Sequence, residues 1–342
     1  MTKRDSATSC PEAAIITLYS EVKPPAHSNV RLHGKSRRLA SVSIGDRLVI
    51  TTGKYLRVAS IYDEYLIEGE SMQDPCLFLS LVKQSGLKAD LFTFTQRLPD
   101  TSQRYPYQHE LETIAAIPIT TFSHWCKAQA DSGARKAVRR AERMGVTVKE
   151  VELDDALVKD ICHIYNETPV RQGKLFRHYH EDPQSVKSAL STYHDRSSFL
   201  GAYYKHELIG FIQFTTVGPT ATILQILSAQ HHFDKRPTNA LIAKAIEVCE
   251  MRGLSHFIYG NYSGYDPGGS LTEFKRRNGF QPISLPRYYI PLTMKGYAAL
   301  FLNLHRGLAQ KIPKRIMRVL LRMRASWNKK RYSRMKHASH YS

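Results

Sequence analysis

The order of predicted helices and strands in the second half of the sequence restricts the fold more than any other feature. The stretch VTVKEVEL (146–153) alternates apolar and polar residues, which predicts a strand. The next stretch, DDALVKDICHIYNE, combines an acidic start with helical periodicity. A second predicted helix, DPQSVKSALSTYHD, begins with Asp182 as N-cap and Pro183 at its first position. A strand followed by two helices therefore opens this half.

Strands and helices alternate through the rest of this half. Two strands joined at 205–207 are predicted in SFLGAYYKHELIGFIQFTTVG, and a third in TATILQILSAQ. A helix (238–249), a strand (SHFIYGNYS), a short helix (SLTEFKRRNG) and a final pair of strands (FQPISLPRYYIPLT) complete it. The predicted order β-α-α-β-β-β-α-β-α-β indicates an α/β fold with an α+β mixed sheet.

The first half predicts a separate α+β unit. Residues 37–70 are rich in Val, Ile and Thr and are interrupted by glycines, which predicts short strands. A helix in SGARKAVRRAERMG ends at Gly145. The chain has 342 residues, 42% of them hydrophobic, which is enough for two cores. We therefore predict domains at residues 1–145 and 146–296, followed by a tail at 297–342.

The tail carries much of the formal net charge of +19, because residues 301–342 contain twelve Lys/Arg and no Asp/Glu. Its apolar and basic residues fall on two faces of a helix. These are Ile316, Leu320, Met323 and Trp327 on one face, and Arg315, Arg318, Arg322 and Lys329 on the other. Three interpretations of this basic amphipathic helix stay open: it packs on the body with its charges in water, lies on an anionic membrane surface, or binds nucleic acid.

Several classes of protein are disfavoured by composition. The five cysteines lie far apart without a C-x-x-C pair, so the sequence predicts neither a disulfide framework nor a zinc site, and no metal. The first residues lack an apolar stretch of signal-peptide length, and nowhere do about 18 consecutive apolar residues occur. We expect a cytoplasmic protein, peripheral to the inner face of the membrane if the tail binds lipid.

Four segments carry a resemblance to a known family. They are ARKAVRRAERMGVTV (134–148), GAYYKHELIGF (201–211), the strand-loop-helix at 222–249, and SLTEFKRRNGF (270–280). Together they resemble the GNAT acyltransferase fold, and in particular its FemAB-like branch, whose members carry two such domains in tandem. The resemblance covers residues 134–293, and the first half resembles the degenerate first domain of the tandem. It implies an acyltransferase that moves an acyl group from acyl-CoA to an amine acceptor.

A donor site follows from this resemblance. Acetyl-CoA and other acyl-CoAs carry a pyrophosphate, which the N-terminus of a helix binds well. The implied site comprises the helix start, two cations before it and oxyanion donors on the preceding strand: Thr238, Asn239, Ala240, Lys235, Arg236, Ile226 and Ser228. The glycine-bearing signature R/Q-x-x-G-x-G/A of the family is missing, because KRPTNAL has Pro237 and no glycine.

A second donor is implied by the FemAB-like branch. Its members use aminoacyl-tRNA, whose phosphates suit a basic surface and require no CoA site. The long coiled-coil arm of the peptidoglycan enzymes in that branch has no counterpart in this sequence. Aminoacyl-tRNA is therefore the alternative donor, and tRNA an alternative partner.

Acyl transfer to an amine needs a base, oxyanion donors and an acid for the leaving group. The strand before the donor site offers only Gln225 and Ser228, so Glu167 is the candidate base. Tyr259 and Tyr262, at the end of a strand, are candidate acids. Lys275 is the candidate cation, since the three consecutive cations at 275–277 cannot share one helix face.

The loop NETPVRQGKLF (166–176) is predicted to bind the acceptor, a small-molecule or peptidic amine. Asn166, Arg171 and Gln172 supply polar groups, and Phe176 an apolar wall. Two other functions stay open: a GNAT-fold module that binds without catalysis, and a nucleic-acid-binding protein. Donor binding separates the first from an enzyme, and a steep loss of binding with salt indicates the second.

Overall fold

The computed structural model describes residues 22–32, 35–67, 74–171, 174–262 and 269–306. The chain divides into two compact units. Among these residues, the first unit comprises those up to Gln96 together with 104–110 and 287–306, and the second comprises 97–103 and 111–286. The basic helix predicted in the tail lies outside the described residues. Within them, no helix has the length and apolar character required to cross a bilayer.

The first unit is built on strands β1 (Ala26–Leu32), β2 (Lys35–Ile44), β3 (Arg47–Thr52), β4 (Val58–Ile61) and β5 (Leu91–Thr95). Their order in the sheet follows the chain, with β5 parallel to β4. Residues 287–291, from a later strand, pair antiparallel with β5. Every residue of β5 (LFTFT) is buried, as expected for a strand with neighbours on both edges.

Two α-helices among the described residues of the first unit pack against the region of β5. Helix α1 (Pro75–Gln84) begins at Asp74, whose Oδ1 accepts the N–H groups of Cys76 and Leu77. Its Phe78 lies against Phe92 of β5. A later helix, Met294–Phe301, is described below.

The second unit contains β6 (Gln108–Pro118) from Leu111 onward, β7 (Thr147–Val151), β10 (Ser197–Tyr204), β11 (Glu207–Val217), β12 (Thr220–Ser228) and β13 (His256–Asn261). Their order in the sheet is β6-β13-β12-β11-β10-β7. All pairings are antiparallel except that between β12 and β13. A two-stranded ribbon of β8 (Val170–Arg171) and β9 (Lys174–Leu175) lies in the loop predicted to bind the acceptor.

The helices of the second unit are α2 (Phe122–His124), continued by a π-helical turn (Trp125–Gln129), α3 (Ser132–Arg143), α4 (Asp155–Asn166), α5 (Pro183–Leu190), α6 (Pro237–Met251) and α7 (Ser270–Arg277). Neighbouring strand residues alternate between two cores, as the pleat requires. Leu200 and Ile209 pack with α3 and α6. Phe199 and Leu208 pack with α4 and α5. The sheet is therefore covered by helices on both faces.

Two sequence expectations differ from the structure. The second unit also includes residues 111–145, which the sequence places in the first domain, because Trp125, Ala134 and Ala141 are buried in the same core as α6. The predicted final pair of strands is wrong, since a single strand, β14, runs over Gln281–Pro291. Its residues up to Pro286 belong to the second unit and those from Arg287 to the first. One continuous strand thus contributes residues to both units, which divide between Pro286 and Arg287.

Candidate functional site

Strands β12 and β13 separate after a short parallel contact. Only residues 220–222 of β12 pair with 256–258 of β13. From Ile223 to Ser228, β12 keeps its pairing with β11, interrupted by a bulge at Leu224. No pairing joins that stretch to the described end of β13. The edge of β12 that faces β13 is therefore open, and a cleft begins between the two strands.

Lys275 lies at the end of β13 that borders this cleft. Although α7 carries three consecutive cations, only Lys275 is buried, with 4% of the residue exposed. Its Nζ donates to the carbonyl oxygen of Asn261 at 2.7 Å and lies 4.5 Å from the centre of the Tyr259 ring. Within the described residues it has no ion-pair partner. Burial lowers the pKa of Lys275 from 10.5 to about 8.

The other two members of the cation triplet are exposed. Arg276 and Arg277 both bind Glu273, at 2.8 and 2.7 Å. The structure therefore agrees with the expectation that the three cations cannot share a face. The catalytic role of Lys275 stays a prediction.

The predicted acids lie on or after β13. Tyr259 packs against Phe280, and burial raises its pKa to about 12. Tyr262 packs beside the same core, and its N–H donates to the carbonyl of Thr113. Across the cleft on β12, the Gln225 side-chain amide donates to the Tyr165 hydroxyl at 2.6 Å. Gln225 is thereby held by a buried residue of α4.

Glu167 is held in place by four groups. Its carboxylate accepts the N–H groups of Gln230 at 2.5 Å and His231 at 2.9 Å, contacts the His231 ring, and binds Arg171 at 3.2 Å. Burial alone would raise the pKa of Glu167, but the two N–H groups and His231 outweigh it and lower the pKa. A carboxylate with a lowered pKa is a weak base, so these contacts favour a role in positioning the loop after β12.

The start of α6 differs from a phosphate-binding turn. Arg236 is in the left-handed conformation at φ 58°, and Pro237, which has no N–H, follows it. The N–H groups of Asn239 and Ala240 donate to the Arg236 carbonyl. The stretch before it, Gln230–Lys235, is a 3₁₀ helix rather than an open loop. Few backbone donors remain here for an added anion.

The side chains predicted to bind the donor point to other protein groups. Thr238 and Ser228 share a hydrogen bond of 2.7 Å between their hydroxyls, which ties α6 to β12. Asn239 donates to the side chain of Asn278 at 3.0 Å. Lys235 pairs with Asp234 at 3.3 Å and lies over the Tyr204 ring. Ile226 pairs with Ile212, and Ala240 is buried. Arg236 is exposed and is the cation closest to the helix start in sequence.

The predicted acceptor residues are also tied to their own unit. Arg171, with 10% of its side chain exposed, donates to the carbonyls of Ser228 at 2.9 Å and Ile164 at 2.6 Å. Asn166 accepts the N–H of His180 at 2.8 Å. Phe176 packs on Tyr165 and under the Arg171 guanidinium. Gln172 lies outside the described residues. These contacts stabilise the loop, and acceptor binding by it stays a prediction.

Two residues of the site were missed by sequence reasoning. Asn278, completely buried, accepts Trp125 Nε1 at its carbonyl and binds both Asn239 and the Phe274 carbonyl with its side chain. His231 contacts Glu167. Asn278 could have been singled out from the sequence, because it stands directly before Gly279, at the end of a predicted helix. For His231 there was no such signal, because its partner is 64 residues away. The described residues contain no group of three or more His, Cys, Asp or Glu able to hold a metal ion.

Comparisons with known proteins concern the fold. No protein-family model matches the sequence, and no curated protein does. Among solved structures, FemX matches at a TM-score of 0.53 and 12% identity, over 78% of this chain and 89% of that chain. L-PGS from Bacillus licheniformis matches at 0.49 and 13%, over 75% and 85%. A tandem GNAT protein from the clavulanic acid biosynthesis pathway matches at 0.41 and 10%, over 79% and 84%. The likeness to FemX shows that this chain has the mixed α/β fold of FemX, in agreement with the fold that the resemblance in the sequence implies.

Proposed function

We propose that the second unit transfers an acyl group from an activated donor to a primary amine. The observation that carries the proposal is Lys275, a buried cation beside the cleft without an ion-pair partner among the described residues. Burying an unpaired ammonium costs stability, and such groups concentrate at functional sites. The FemX-like fold supports the same reaction class by analogy.

Lys275 suits the charge and proton changes of this reaction. The amine nitrogen bonds to the carbonyl carbon, the bond from that carbon to the leaving oxygen or sulfur then breaks, and a proton passes from nitrogen to the leaving atom. With a pKa of about 8, Lys275 is present in both protonation states near neutral pH. Its ammonium form stabilises the oxyanion, and its neutral form accepts the proton of the amine. Tyr259, with a pKa of about 12, keeps its proton and can donate a hydrogen bond.

Glu167 has a supporting role in this proposal. Its lowered pKa makes it a poor base, whereas its bonds to Gln230 and His231 fix the loop that follows β12. We therefore propose Glu167 and Arg171 as positioning residues, and Lys275 as the group that handles the proton.

An aminoacyl ester of tRNA is the donor that the contacts favour over acyl-CoA. A CoA pyrophosphate needs free N–H groups at the β12–α6 connection, but Glu167 already occupies those of Gln230 and His231, and Pro237 has none. Lys235 is paired with Asp234. A tRNA instead binds through distributed phosphate contacts, which a net charge of +19 favours. The acceptor is a small-molecule or peptidic amine.

The test follows donor consumption in the full chain. Aminoacyl-tRNA with a labelled amino acid, and separately labelled acetyl-CoA and longer acyl-CoAs, are incubated with a pool of small amines and peptides. Wild type is compared with Lys275→Met and with Lys136→Met, which replaces an exposed lysine of α3 in the same unit. We expect aminoacyl-tRNA to be discharged, Lys275→Met to slow this by about 100-fold or more, and Lys136→Met to have no effect.

The other outcomes are decisive as well. Consumption of acyl-CoA that depends on Lys275 would keep acyl transfer and overturn the tRNA donor. Equal binding of charged and uncharged tRNA without discharge would indicate electrostatic binding alone. No consumption of any donor by the folded protein would overturn the transferase and leave a binding module.

A further inference from the structure

The last described helix of the α type, α8 (Met294–Phe301), presents three of its large residues to solvent. Met294, Tyr297 and Phe301 occupy positions i, i+3 and i+7 and are 81, 59 and 87% exposed. On the other side, Gly296 and Ala299 are buried with Leu300. A helix that packs only on its own domain has the reverse arrangement. The exposed face therefore has the character of a contact surface.

The apolar surface continues beyond this helix. Leu302 and Leu304 follow it at 58 and 49% exposure. A cavity of about 700 Å³ lies between α1, the end of β14 and α8, with Leu79, Pro291 and Leu300 among its apolar lining. Tyr297 and Phe301 line the same cavity, which has Lys83 and the Cys76 thiol among its polar groups. All of these residues belong to the first unit.

The sequence that continues from this surface is strongly basic. Residues 306–342 contain twelve Lys/Arg and no Asp/Glu, interspersed with Ile, Leu, Met and Trp. Apolar side chains joined to a cationic segment match the interface of an anionic bilayer, where acyl chains lie directly below negative headgroups. The complement for such a segment is a negative surface that also accepts apolar groups.

We propose that the exposed face of α8 and the adjoining cavity dock on an anionic lipid bilayer, to which the basic composition of the following sequence adds electrostatic attraction. Tyr297 and Phe301 enter the interfacial layer. The cavity takes apolar groups of the lipid. This surface belongs to the first unit, so the proposal does not depend on the reaction proposed for the second.

The test is sedimentation of the full chain with vesicles of phosphatidylcholine, with and without phosphatidylglycerol. We expect binding to the anionic vesicles, reduced about tenfold or more in the double variant Tyr297→Ser/Phe301→Ser. The matched control is Met251→Ser at the end of α6. The exposure of Met251, 72%, lies between those of Tyr297 and Phe301, and its replacement should change binding less than about twofold. Because the replaced residues are exposed, unchanged circular dichroism is expected for all variants.

A fluorescent label separates this surface from the basic segment. An environment-sensitive dye on Cys76, in a chain with Cys10→Ser and Cys126→Ser, should shift to shorter wavelength with anionic vesicles. The same dye on Cys126, with Cys10→Ser and Cys76→Ser, should not shift. Unchanged binding of the double variant, or no shift at Cys76, would overturn the proposal in favour of the basic segment alone. A dimer without vesicles that the double variant abolishes would replace the bilayer by a second copy.

Discussion

Replacing Lys275 by methionine should make the protein more stable while removing its proposed activity. The lysine is 4% exposed, and its pKa falls from 10.5 to about 8 because burial disfavours the charged form. At about 1.36 kcal/mol per pKa unit, that difference corresponds to about 3.4 kcal/mol. Methionine keeps an unbranched apolar side chain of similar length without this cost.

Two favourable contacts are lost with the ammonium and reduce the gain. The hydrogen bond to Asn261 and the contact with the Tyr259 ring contribute about 1 kcal/mol each. The expected net effect is therefore an increase of about 1 to 2 kcal/mol in the free energy of unfolding at pH 7. Urea denaturation followed by tryptophan fluorescence measures it, since Trp125 is buried in the second unit.

The pH dependence has a definite sign. Below about pH 8 both folded and unfolded wild type carry the charge, so the gain of Lys275→Met is complete. Between about 8 and 10.5 only the unfolded state is protonated, so wild type gains the full difference of about 3.4 kcal/mol. Because this exceeds the net gain at pH 7, the stability difference changes sign, and above about pH 10.5 the variant is the less stable protein. A variant that is less stable than wild type at pH 7, with a constant difference up to pH 10.5, would refute this reasoning.

Three further changes test other contacts. Glu167→Gln should lower the free energy of unfolding by about 2 to 4 kcal/mol, because it breaks a buried ion pair with Arg171; urea denaturation measures it. Burial alone would raise the pKa of Asp90, but Arg57 lowers it to about 2. Asp90→Asn should therefore lower the free energy of unfolding by about 2 kcal/mol above pH 4 and by progressively less towards pH 2, which acid denaturation measures. Gly296→Ala should destabilise the first unit by about 2 kcal/mol or more in thermal unfolding, since a Cβ would lie 2.0 Å from the Asp90 carbonyl oxygen.

Each of these changes has a control or a contrary result. Glu152→Gln, at an exposed carboxylate, should leave stability within about 0.5 kcal/mol. For Asp90→Asn, a loss that stays constant down to pH 2 would show that the carboxylate charge is not responsible. For Gly296→Ala, unchanged unfolding would mean that α8 does not pack closely on Asp90.

Local signals in the sequence predicted the ends of helices well. Asp182 caps α5 by accepting the N–H of Ser185, with Pro183 following as predicted. Gly145 ends α3 as predicted, at φ 80°, where residues with a side chain are disfavoured. These features depend on neighbours in sequence, and the sequence therefore contains them.

The candidate site depends on contacts that the sequence does not reveal. In the sequence, Glu167 is the candidate base. In the structure, its carboxylate oxygens accept the N–H groups of Gln230 and His231, more than 60 residues later. In the sequence, Thr238 and Asn239 suggest an anion site. In the structure, their side chains are instead hydrogen-bonded to Ser228 and Asn278. The helix spacing of 275–277 predicted that the cations diverge, but packing alone determines how deeply Lys275 is buried. The unit boundary was missed for the same reason. Helix α3 packs in one core with α6, which lies about 100 residues later in the chain, and no local pattern predicts that contact.

The path of the chain through the first unit has a consequence for its synthesis. Arg287 binds Glu64 at 2.6 Å, and Tyr288 stacks on Phe94 and donates to Gln96. These partners are made 192 to 223 residues before the strand residues that they contact, a delay of roughly 10 to 45 s at about 5 to 20 residues per second. The second unit lies almost wholly within that interval of sequence and can fold during it. The first unit therefore begins to be synthesised before the second but is completed after it. Until residues 287–291 have been made, one edge of β5 has no partner strand.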